Sequence, residues 1–333
     1  MSAQRVAVLA GGRSSEHEVS LTSGASVADG LREAGHAVTE IQVGRDGVWR
    51  RDGEAVTVAL GTGLPDIDVV FPVLHGPFGE DGTVQGLLEC LDTPYVGAGV
   101  LASALCMNKV VFKQLMAEQG IPQVAYRAVE QLTHAADPEA TARAVAELGY
   151  PVFVKPARLG SSVGIARVAD PDELPAALTI AFTHDSLAIV EAFAAGREVE
   201  CSVLGNADPV ASEPGEILLA AGEGCWYDYE AKYAEGGMRL VVPARVEPEV
   251  RDRIRALAVR AFAASGCQGL ARVDVFVVGS DVLVNELNTM PGFTPTSVFG
   301  SLFAASGIEY PELLDRLVAL ALERHADEAK LRH

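Results

Sequence analysis

The sequence lacks the features that mark zinc-finger, disulfide-rich and membrane proteins. Its five cysteines form no CxxC pair, so neither a zinc site nor a disulfide framework is indicated. No apolar run approaches the ~20 residues of a membrane span, and the first run, residues 6–10, is a strand rather than a signal-peptide core. We therefore expect a cytoplasmic protein that does not enter a membrane. The cysteines are Cys90, Cys106, Cys201, Cys225 and Cys267.

Basic residues are scarce: 26 lysines and arginines stand against 45 aspartates and glutamates, which gives a net charge of −19. Nucleic-acid binding needs a basic surface, so we expect no nucleic-acid partner. Two nucleotide-binding signatures are also missing. These are the GxGxxG that a nicotinamide oxidoreductase needs after its first strand, and the GxxxxGK[ST] phosphate loop. The 333 residues, 49% hydrophobic and 21% charged, are otherwise ordinary and allow two or three domains.

Strand and helix signals alternate over residues 1–105. "RVAVLAGG" predicts a strand and a glycine turn before a helix, and "DVVFPVLHG" predicts a buried strand that ends at His75. Such alternation predicts an α/β domain with a parallel sheet, in which ligands bind at the carboxyl ends of the strands. Glu16 and His75 both follow predicted strand ends and are therefore placed for a site.

After residue 105 the pattern changes to α+β, with hairpin-type strands between helices. We expect a central domain over residues 106–195 and a C-terminal domain over residues 196–333. Residues 222–240 are polar, aromatic and glycine-rich with weak periodicity, which predicts a long functional loop.

The segment "LARVDVFVVGSDVLVNELN" predicts a hairpin, because two β-branched runs flank a turn signal. If the loop is residues 279–281, Val278 faces Val282. That register places Asp274 opposite Glu286. A loop of two or four residues would break this alignment.

In that register Arg272 lies opposite Asn288, and all four polar side chains share one face of the hairpin. Like charges directly opposite each other destabilise a strand pair, so Asp274 and Glu286 need a reason to be there. Two carboxylates and an amide oxygen suit a hard cation such as Mg²⁺. The alternative is a solvated sheet face, on which acidic residues are ordinary.

A second candidate lies in "VKPARLGSSVGIA", where Lys155 ends a strand before a glycine- and serine-rich loop. Backbone N–H groups exposed by the glycines, with the hydroxyls of Ser161 and Ser162, can cradle a phosphate. The alternative is a plain flexible turn. Beside a strand lysine and a predicted Mg²⁺ site, ATP chemistry is favoured.

Six motifs in order give a more specific interpretation: "GGRSSEHEVSLTSG", "HGPFGEDGTVQG", "VKPARLGSSVG", "YDYEAKY", "ARVDVF" and "NELNTMPGFT". Together they resemble the D-alanine–D-alanine ligases of the ATP-grasp superfamily over nearly the whole chain. The resemblance implies a three-domain ATP-grasp fold with an N-terminal Rossmann-like sheet, and ATP between the other two domains. It also implies that one D-alanine is activated as an acyl phosphate, which a second D-alanine attacks, for peptidoglycan synthesis.

The resemblance implies catalytic residues. Glu16 would hold the ammonium of the first substrate, and Ser161 would link Glu16 to Tyr233. Arg272 and the N–H of Gly292 would stabilise the oxyanion. Closure of residues 161–164 and 222–240 over bound nucleotide would exclude water.

The resemblance also implies ligand-binding residues. Those for the second substrate are His75, Lys232, Ser297 and Val298. Those for ATP are Lys109, Lys155, Ser162, Glu191 and Glu198. Two Mg²⁺ ions, with Mn²⁺ as the alternative, would be held by Asp274, Glu286 and Asn288. A homodimer and a monovalent cation are further family expectations.

Several alternatives stay open. Lys109 is also compatible with a surface lysine, Glu191 and Glu198 with ordinary strand-end glutamates, and His75 with a structural histidine. Within the superfamily, a D-alanine–D-lactate ligase would differ at the loop position of Tyr233. A non-catalytic binding module would need neither the metal ligands nor both phosphate lysines.

Overall fold

The computed structural model describes residues 2–60, 63–160, 163–219 and 238–331. Ser161, Ser162, Lys232, Tyr233 and most of the predicted loop 222–240 lie outside the described residues. No single described helix is long and apolar enough to cross a membrane; one bent pair, Val100–Met107 and Lys109–Glu118, passes that test jointly by length and composition.

The described helices are α1 (His17–Glu33), α2 (Thr83–Cys90), α3 (Val100–Met107), α4 (Lys109–Glu118), α5 (Gln131–Ala136), α6 (Pro138–Ala146), α7 (Leu174–Phe182), α8 (Pro248–Ala264), α9 (Val298–Ala305) and α10 (Tyr310–Glu328). The described strands are β1 (Arg5–Gly11), β2 (Ala37–Val43), β3 (Trp49–Arg51), β4 (Glu54–Ala55), β5 (Val69–Val73), β6 (Tyr126–Glu130), β7 (Val152–Pro156), β8 (Ala166–Val168), β9 (Leu187–Ala192), β10 (Arg197–Gly205), β11 (Val210–Ala211), β12 (Gly215–Leu219), β13 (Met238–Val241), β14 (Gly269–Val278) and β15 (Asp281–Asn288).

The first sheet has the order β4-β3-β2-β1-β5. The predicted parallel sheet is confirmed for β1, β2 and β5, and the short strands β3 and β4 extend its edge in antiparallel pairing. Strand β1 is buried along its apolar run, since helices and loops cover both faces of the sheet there. Its carboxyl end leads to Glu16 and the end of β5 leads to His75, as the alternation predicts.

The second sheet, with the order β6-β9-β7-β8, is antiparallel throughout. Residues of β7 alternate between its two faces, as the period of a strand requires. Val152 and Val154 pack in a core with Leu178 of α7, whereas Phe153 and Lys155 face a cavity. The apolar alternation of this strand therefore delivers a lysine to the opposite side of the sheet.

The third sheet has the order β13-β12-β10-β14-β15, and its hairpin corrects one prediction. Val278 pairs with Asp281, so the turn has two residues and the predicted loop of residues 279–281 is wrong. Gly279 has a φ of 60°, and glycine at the first position of a two-residue hairpin turn readily adopts a positive φ.

A bulge restores the predicted register further along this hairpin. Between the pairs Val275–Val284 and Asp274–Glu286, the register shifts by one residue because Asn285 is extra on β15. Beyond the bulge, Asp274 faces Glu286 and Arg272 faces Asn288. The predicted pairing of the four polar residues is therefore confirmed, although by a route that the sequence pattern does not predict.

The last two helices return to the first sheet. Val8 and Phe71 share a core with Phe299 of α9 and Leu317 of α10. Phe293 links these parts, because its ring centroid lies 5.4 Å from that of Phe71 and 5.1 Å from that of Phe299. This packing fixes the segment after β15 against the carboxyl end of the parallel strands.

Candidate active site

One cavity of about 1280 Å³ lies where the three sheets meet. It is large enough for a nucleotide and small substrates, since ligand sites usually have volumes of about 300–1,000 Å³. The roles of the predicted site residues are still predictions, but every one that the structure describes lines this cavity. They are Glu16, His75, Lys109, Lys155, Glu191, Glu198, Arg272, Asp274, Glu286, Asn288, Gly292, Ser297 and Val298.

An acidic cluster on the hairpin and the neighbouring strand β10 surrounds one guanidinium; we define it as Glu200, Arg272, Asp274, Glu286 and Asn288. Arg272 donates through Nε and an Nη to the two oxygens of Asp274, both at 2.7 Å, and its Nε also lies 2.8 Å from Glu200 Oε2. Burial lowers the pKa of Arg272, but Asp274 and Glu200 outweigh burial and hold that pKa well above its usual value. The guanidinium is therefore a fixed cation.

The donors of this cluster fit a hard cation. Asn288 Nδ2 donates to Asp274 Oδ2 at 3.0 Å, so the amide oxygen is the atom of Asn288 that remains to bind a metal. With Asp274 and Glu286 it provides the oxygen ligands that Mg²⁺ prefers. Within the described ranges no three His, Cys, Asp or Glu side chains form a metal-binding group; this set combines two carboxylates with one amide oxygen.

A lysine cluster forms the facing side; we define it as Lys113, Lys155 and Glu191. Glu191 Oε2 lies 2.5 Å from Lys155 Nζ, and its Oε1 lies 2.9 Å from Lys113 Nζ. Burial raises the pKa of Glu191, but the two lysines outweigh it and lower that pKa to about 2. Burial lowers the pKa of Lys155, but Glu191 and Glu286 raise it above its usual value. The cluster therefore carries an excess of positive charge at the cavity.

Lys109 lies beside the acidic cluster. Its side chain is only 11% exposed, so the alternative of a surface lysine is wrong. Nζ donates to Leu159 O at 2.8 Å and lies 3.5 Å from Glu286 Oε2. Asn108 caps α4 by accepting from the N–H groups of Val110 and Val111, which fixes the helix start from which Lys109 projects.

Three segments converge on the carboxylate of Glu16. Glu16 is the N-cap residue of α1 but makes no side-chain capping hydrogen bond. Gly76 has a φ of 73°, and a Cβ there would lie 2.9 Å from Glu16 Oε2, so this position requires glycine. A Cβ on Gly160, next to Ser161 in the chain, would lie 3.7 Å from the same oxygen.

Glu80 is a second acid on this side of the cavity. Its Oε1 accepts from the N–H of Gly76 at 2.7 Å. Burial, and then the charge of Glu16, raise the pKa of Glu80 to about 8. Glu80 therefore exchanges a proton near neutral pH, a property that its position in "GEDG" does not indicate.

His75 and Ser23 hold the segment 290–293 from both ends. His75 Nδ1 donates to Met290 O at 3.1 Å, and its Nε2 lies 3.4 Å from Ser23 Oγ. The N–H of Phe293 donates to the same Oγ at 3.3 Å. Between these anchors, a Cβ on Gly292 would make only an ordinary contact, 3.8 Å from Ser297 Cβ. Folding therefore does not require glycine at position 292.

Family models describe both parts of the chain. The model "D-ala D-ala ligase C-terminus" matches residues 115–319, and "D-ala D-ala ligase N-terminus" matches residues 5–62 and 57–98. The D-alanine--D-alanine ligase of Deinococcus radiodurans is 49% identical, over 96% of this chain and 99% of that protein. The ligase of the same name from Mycolicibacterium smegmatis is 46% identical, over 96% of each.

The chain belongs to the D-alanine–D-alanine ligase family.

Solved structures agree with this assignment. The D-alanine-D-alanine ligase from Coxiella burnetii superposes with a TM-score of 0.88 at 34% identity, over 99% of this chain and 97% of that one. VanG D-Ala:D-Ser ligase from Enterococcus faecalis gives 0.86 at 35% identity, over 96% of this chain and 100% of that one. The ATP-grasp fold predicted from the sequence is confirmed, and the family uses ATP and Mg²⁺.

Sequence reasoning missed several residues at this D-alanine–D-alanine ligase site. Glu200 follows Glu198 at strand spacing in "REVECSV", so its place on the same face was readable. Lys113 and Ser23 carry no comparable signal, because each is one of several polar residues within a helix. Their partners come from distant parts of the chain.

Proposed function

We propose that this chain joins two D-alanine molecules into D-alanyl-D-alanine and converts ATP to ADP and phosphate. The observation that carries the proposal is the meeting of the acidic cluster and the lysine cluster across one cavity. The first suits a cation and the second suits phosphate, so together they suit Mg²⁺–ATP. The product serves peptidoglycan synthesis in the cytoplasm.

In the first step, a carboxylate oxygen of one D-alanine attacks the γ-phosphorus and ADP leaves, which forms an acyl phosphate. Lys109 and Lys155 bind the ATP phosphates together with Ser162 of the glycine-serine loop. The backbone at Glu191 meets the adenine edge, and Glu198 holds the ribose hydroxyls. Two Mg²⁺ ions, or Mn²⁺, held by Asp274, Glu286 and Asn288 would supply charge neutralisation on the phosphates.

In the second step, the amine of the second D-alanine attacks the acyl carbon, phosphate leaves and the amine loses a proton. Glu16 holds the ammonium of the first substrate, and Ser161 links it to Tyr233. Arg272 and the N–H of Gly292 stabilise the tetrahedral oxyanion. The second substrate is bound by His75, Lys232, Ser297 and Val298.

The proposal also covers the exclusion of water, the domain boundaries and the oligomeric state. The acyl phosphate hydrolyses readily, so residues 161–164 and 222–240 close over it in the reaction. The domains are residues 1–105, 106–195 and 196–333, with ATP between the second and third. We further propose a homodimer that a monovalent cation activates.

A coupled assay tests this function. Purified chain, Mg²⁺–ATP and D-alanine are expected to give ADP, phosphate and D-alanyl-D-alanine in equal amounts, and L-alanine is expected to give none. ATP consumption without dipeptide contradicts the proposal.

The second substrate needs its own experiment, because the similar VanG structure is named a D-Ala:D-Ser ligase. D-Alanine, D-serine and D-lactate compete for the same acyl phosphate, and all products are quantified. We expect D-alanyl-D-alanine to be the dominant product above neutral pH, where more of the D-alanine amine is unprotonated. A dominant depsipeptide at every pH supports the D-lactate alternative.

A further inference from the structure

Lys113 is a fully buried lysine that the reaction described above does not use. It lies one turn after Lys109 on α4 and its exposed fraction is 1%. Its Nζ pairs with Glu191 and lies 5.8 Å from the centroid of the Tyr126 ring. Lys113 is absent from the cavity lining, whereas Lys155 and Glu191 are part of it. A direct contact between Lys113 and the nucleotide is therefore not indicated.

Two lysines on one buried carboxylate exceed what charge balance requires. Lys155 alone, with Nζ at 2.5 Å, already neutralises Glu191. A second ammonium has a use if the first one leaves. A buried ion whose partner is removed is strongly destabilising, because its charge stays desolvated and unpaired.

We propose that Lys113 is a positioning residue that keeps Glu191 paired when Lys155 moves its ammonium onto the ATP phosphates. The inference rests on the proposed phosphate role of Lys155. Without Lys113, every Lys155–phosphate contact would leave the Glu191 carboxylate without a cation. With Lys113, the exchange of partners by Lys155 leaves one complete ion pair inside the protein.

The substitution Lys113→Met in the full-length chain tests this proposal, because it removes the charge and preserves most of the apolar stem. Calorimetry measures the dissociation constants of a non-hydrolysable ATP analogue with Mg²⁺ and of adenosine. We expect ATP-analogue binding to weaken about tenfold or more, and adenosine binding to change less than about twofold. The proposal is overturned if the binding of both ligands weakens equally, or if the binding of neither weakens.

The double variant Lys113→Met with Glu191→Gln supplies the rescue. It removes the carboxylate that needs a partner, so the ratio of the two dissociation constants is expected to return towards that of Glu191→Gln alone. An ATP-specific loss from Lys113→Met that persists in the Glu191→Gln background overturns the proposal. If the single variant Lys113→Met fails to fold, the comparison of the double variant with Glu191→Gln alone still tests the proposal.

Lys155→Met separates the inference from the site assignment. If Lys155→Met leaves the ratio of the dissociation constants of the ATP analogue and adenosine unchanged, the assigned phosphate role of Lys155 is wrong. The inference about Lys113 is then wrong as well. If Lys155→Met weakens ATP-analogue binding but Lys113→Met does not, the assignment stands and the inference alone is wrong.

Discussion

The acidic cluster and the lysine cluster are opposites in charge and in origin. The first places one guanidinium among three carboxylates, and the second places one carboxylate between two ammonium groups. The first is built within neighbouring strands, since Glu200 pairs with Asp274 and Asp274 pairs with Glu286. The second draws its three residues from α4, β7 and β9.

This difference has a functional meaning. Each cluster alone is unbalanced, and in the proposed function Mg²⁺–ATP would bring the missing charge to both: cations to the acids and phosphates to the lysines. A ligand that carries only one of the two charges balances only one side. On this proposal the cavity favours the complete metal–nucleotide complex over either part.

The largest effect is expected when the acidic cluster loses its cation. Arg272→Met leaves Asp274 and Glu200 buried beside each other without the cation that both contact, which is expected to lower the free energy of unfolding by about 3–5 kcal/mol. It also removes the proposed oxyanion contact, so kcat is expected to fall by roughly 10²–10³. Urea unfolding and steady-state kinetics measure the two losses.

Arg245→Met is the matched control for stability. Arg245 pairs with Glu216 Oε2 at 2.9 Å, but Glu216 retains Arg197 at 2.9 Å and Arg245 is more than half exposed. We expect this variant to lose less than about 1 kcal/mol. A loss for Arg272→Met that is as small as this would show that the stability of the acidic cluster does not depend on Arg272.

The contrast between the clusters also explains what the sequence could predict. The polar pairs of the hairpin follow strand periodicity, so the sequence predicts that they share one face of the sheet. The turn length and the bulge were not, because the two-residue turn and the extra Asn285 compensate each other and leave the apolar pattern intact. The agreement at Asp274 and Glu286 therefore depended on two features that cancel.

Long-range packing was beyond sequence reasoning. The pairing of Lys113 with Glu191 depends on how α4 lies against the second sheet, and a helical lysine gives no sign of such a partner. The apolar faces of α9 and α10 predict burial but do not say against what, and they pack on the first sheet. Tertiary contacts of this kind leave no periodic pattern in the local sequence from which they could be predicted.

The second largest effect is expected at the segment after the hairpin. Gly292→Ala introduces a Cβ that meets only Ser297 Cβ at 3.8 Å, so the free energy of unfolding is expected to change by less than about 1 kcal/mol. If the N–H of Gly292 faces the oxyanion, the methyl group enters the space of the substrate and kcat is expected to fall about 10²-fold. Full activity in a stable variant would remove Gly292 from the proposed catalytic residues.

A smaller effect is expected at Glu80, which lies between β5 and α2. The pKa of Glu80 is about 8 in the fold, above its ordinary value of 4.5, so the folded state binds the additional proton between these values. Its contribution to stability therefore falls as pH rises from about 4.5 to about 8. Relative to wild type, Glu80→Gln is expected to gain stability over that interval and to level off above it.

Urea unfolding at pH 5 to 9 without nucleotide measures this trend. Glu118→Gln, at an exposed position of α4, controls for the loss of one carboxylate. A constant difference between wild type and Glu80→Gln at every pH would mean that Glu80 is ionised throughout.

The smallest effect is expected at Ser23, which contacts the backbone of the segment 290–293 and belongs to neither charge cluster. Ser23→Ala removes the hydroxyl that accepts from the N–H of Phe293 and lies beside His75 Nε2. The segment 290–293 then keeps the bond from His75 Nδ1 to Met290 O but loses the anchor on the other side of Gly292. A lost hydrogen bond of this kind is worth about 1 kcal/mol, so kcat is expected to fall about fivefold. KM for ATP is expected to stay unchanged, because both charge clusters are intact.

Ser26→Ala is the control, since that hydroxyl donates to Thr22 O within the same helix. A rise in KM for ATP with unchanged kcat would show that Ser23 affects nucleotide binding and does not hold the segment 290–293.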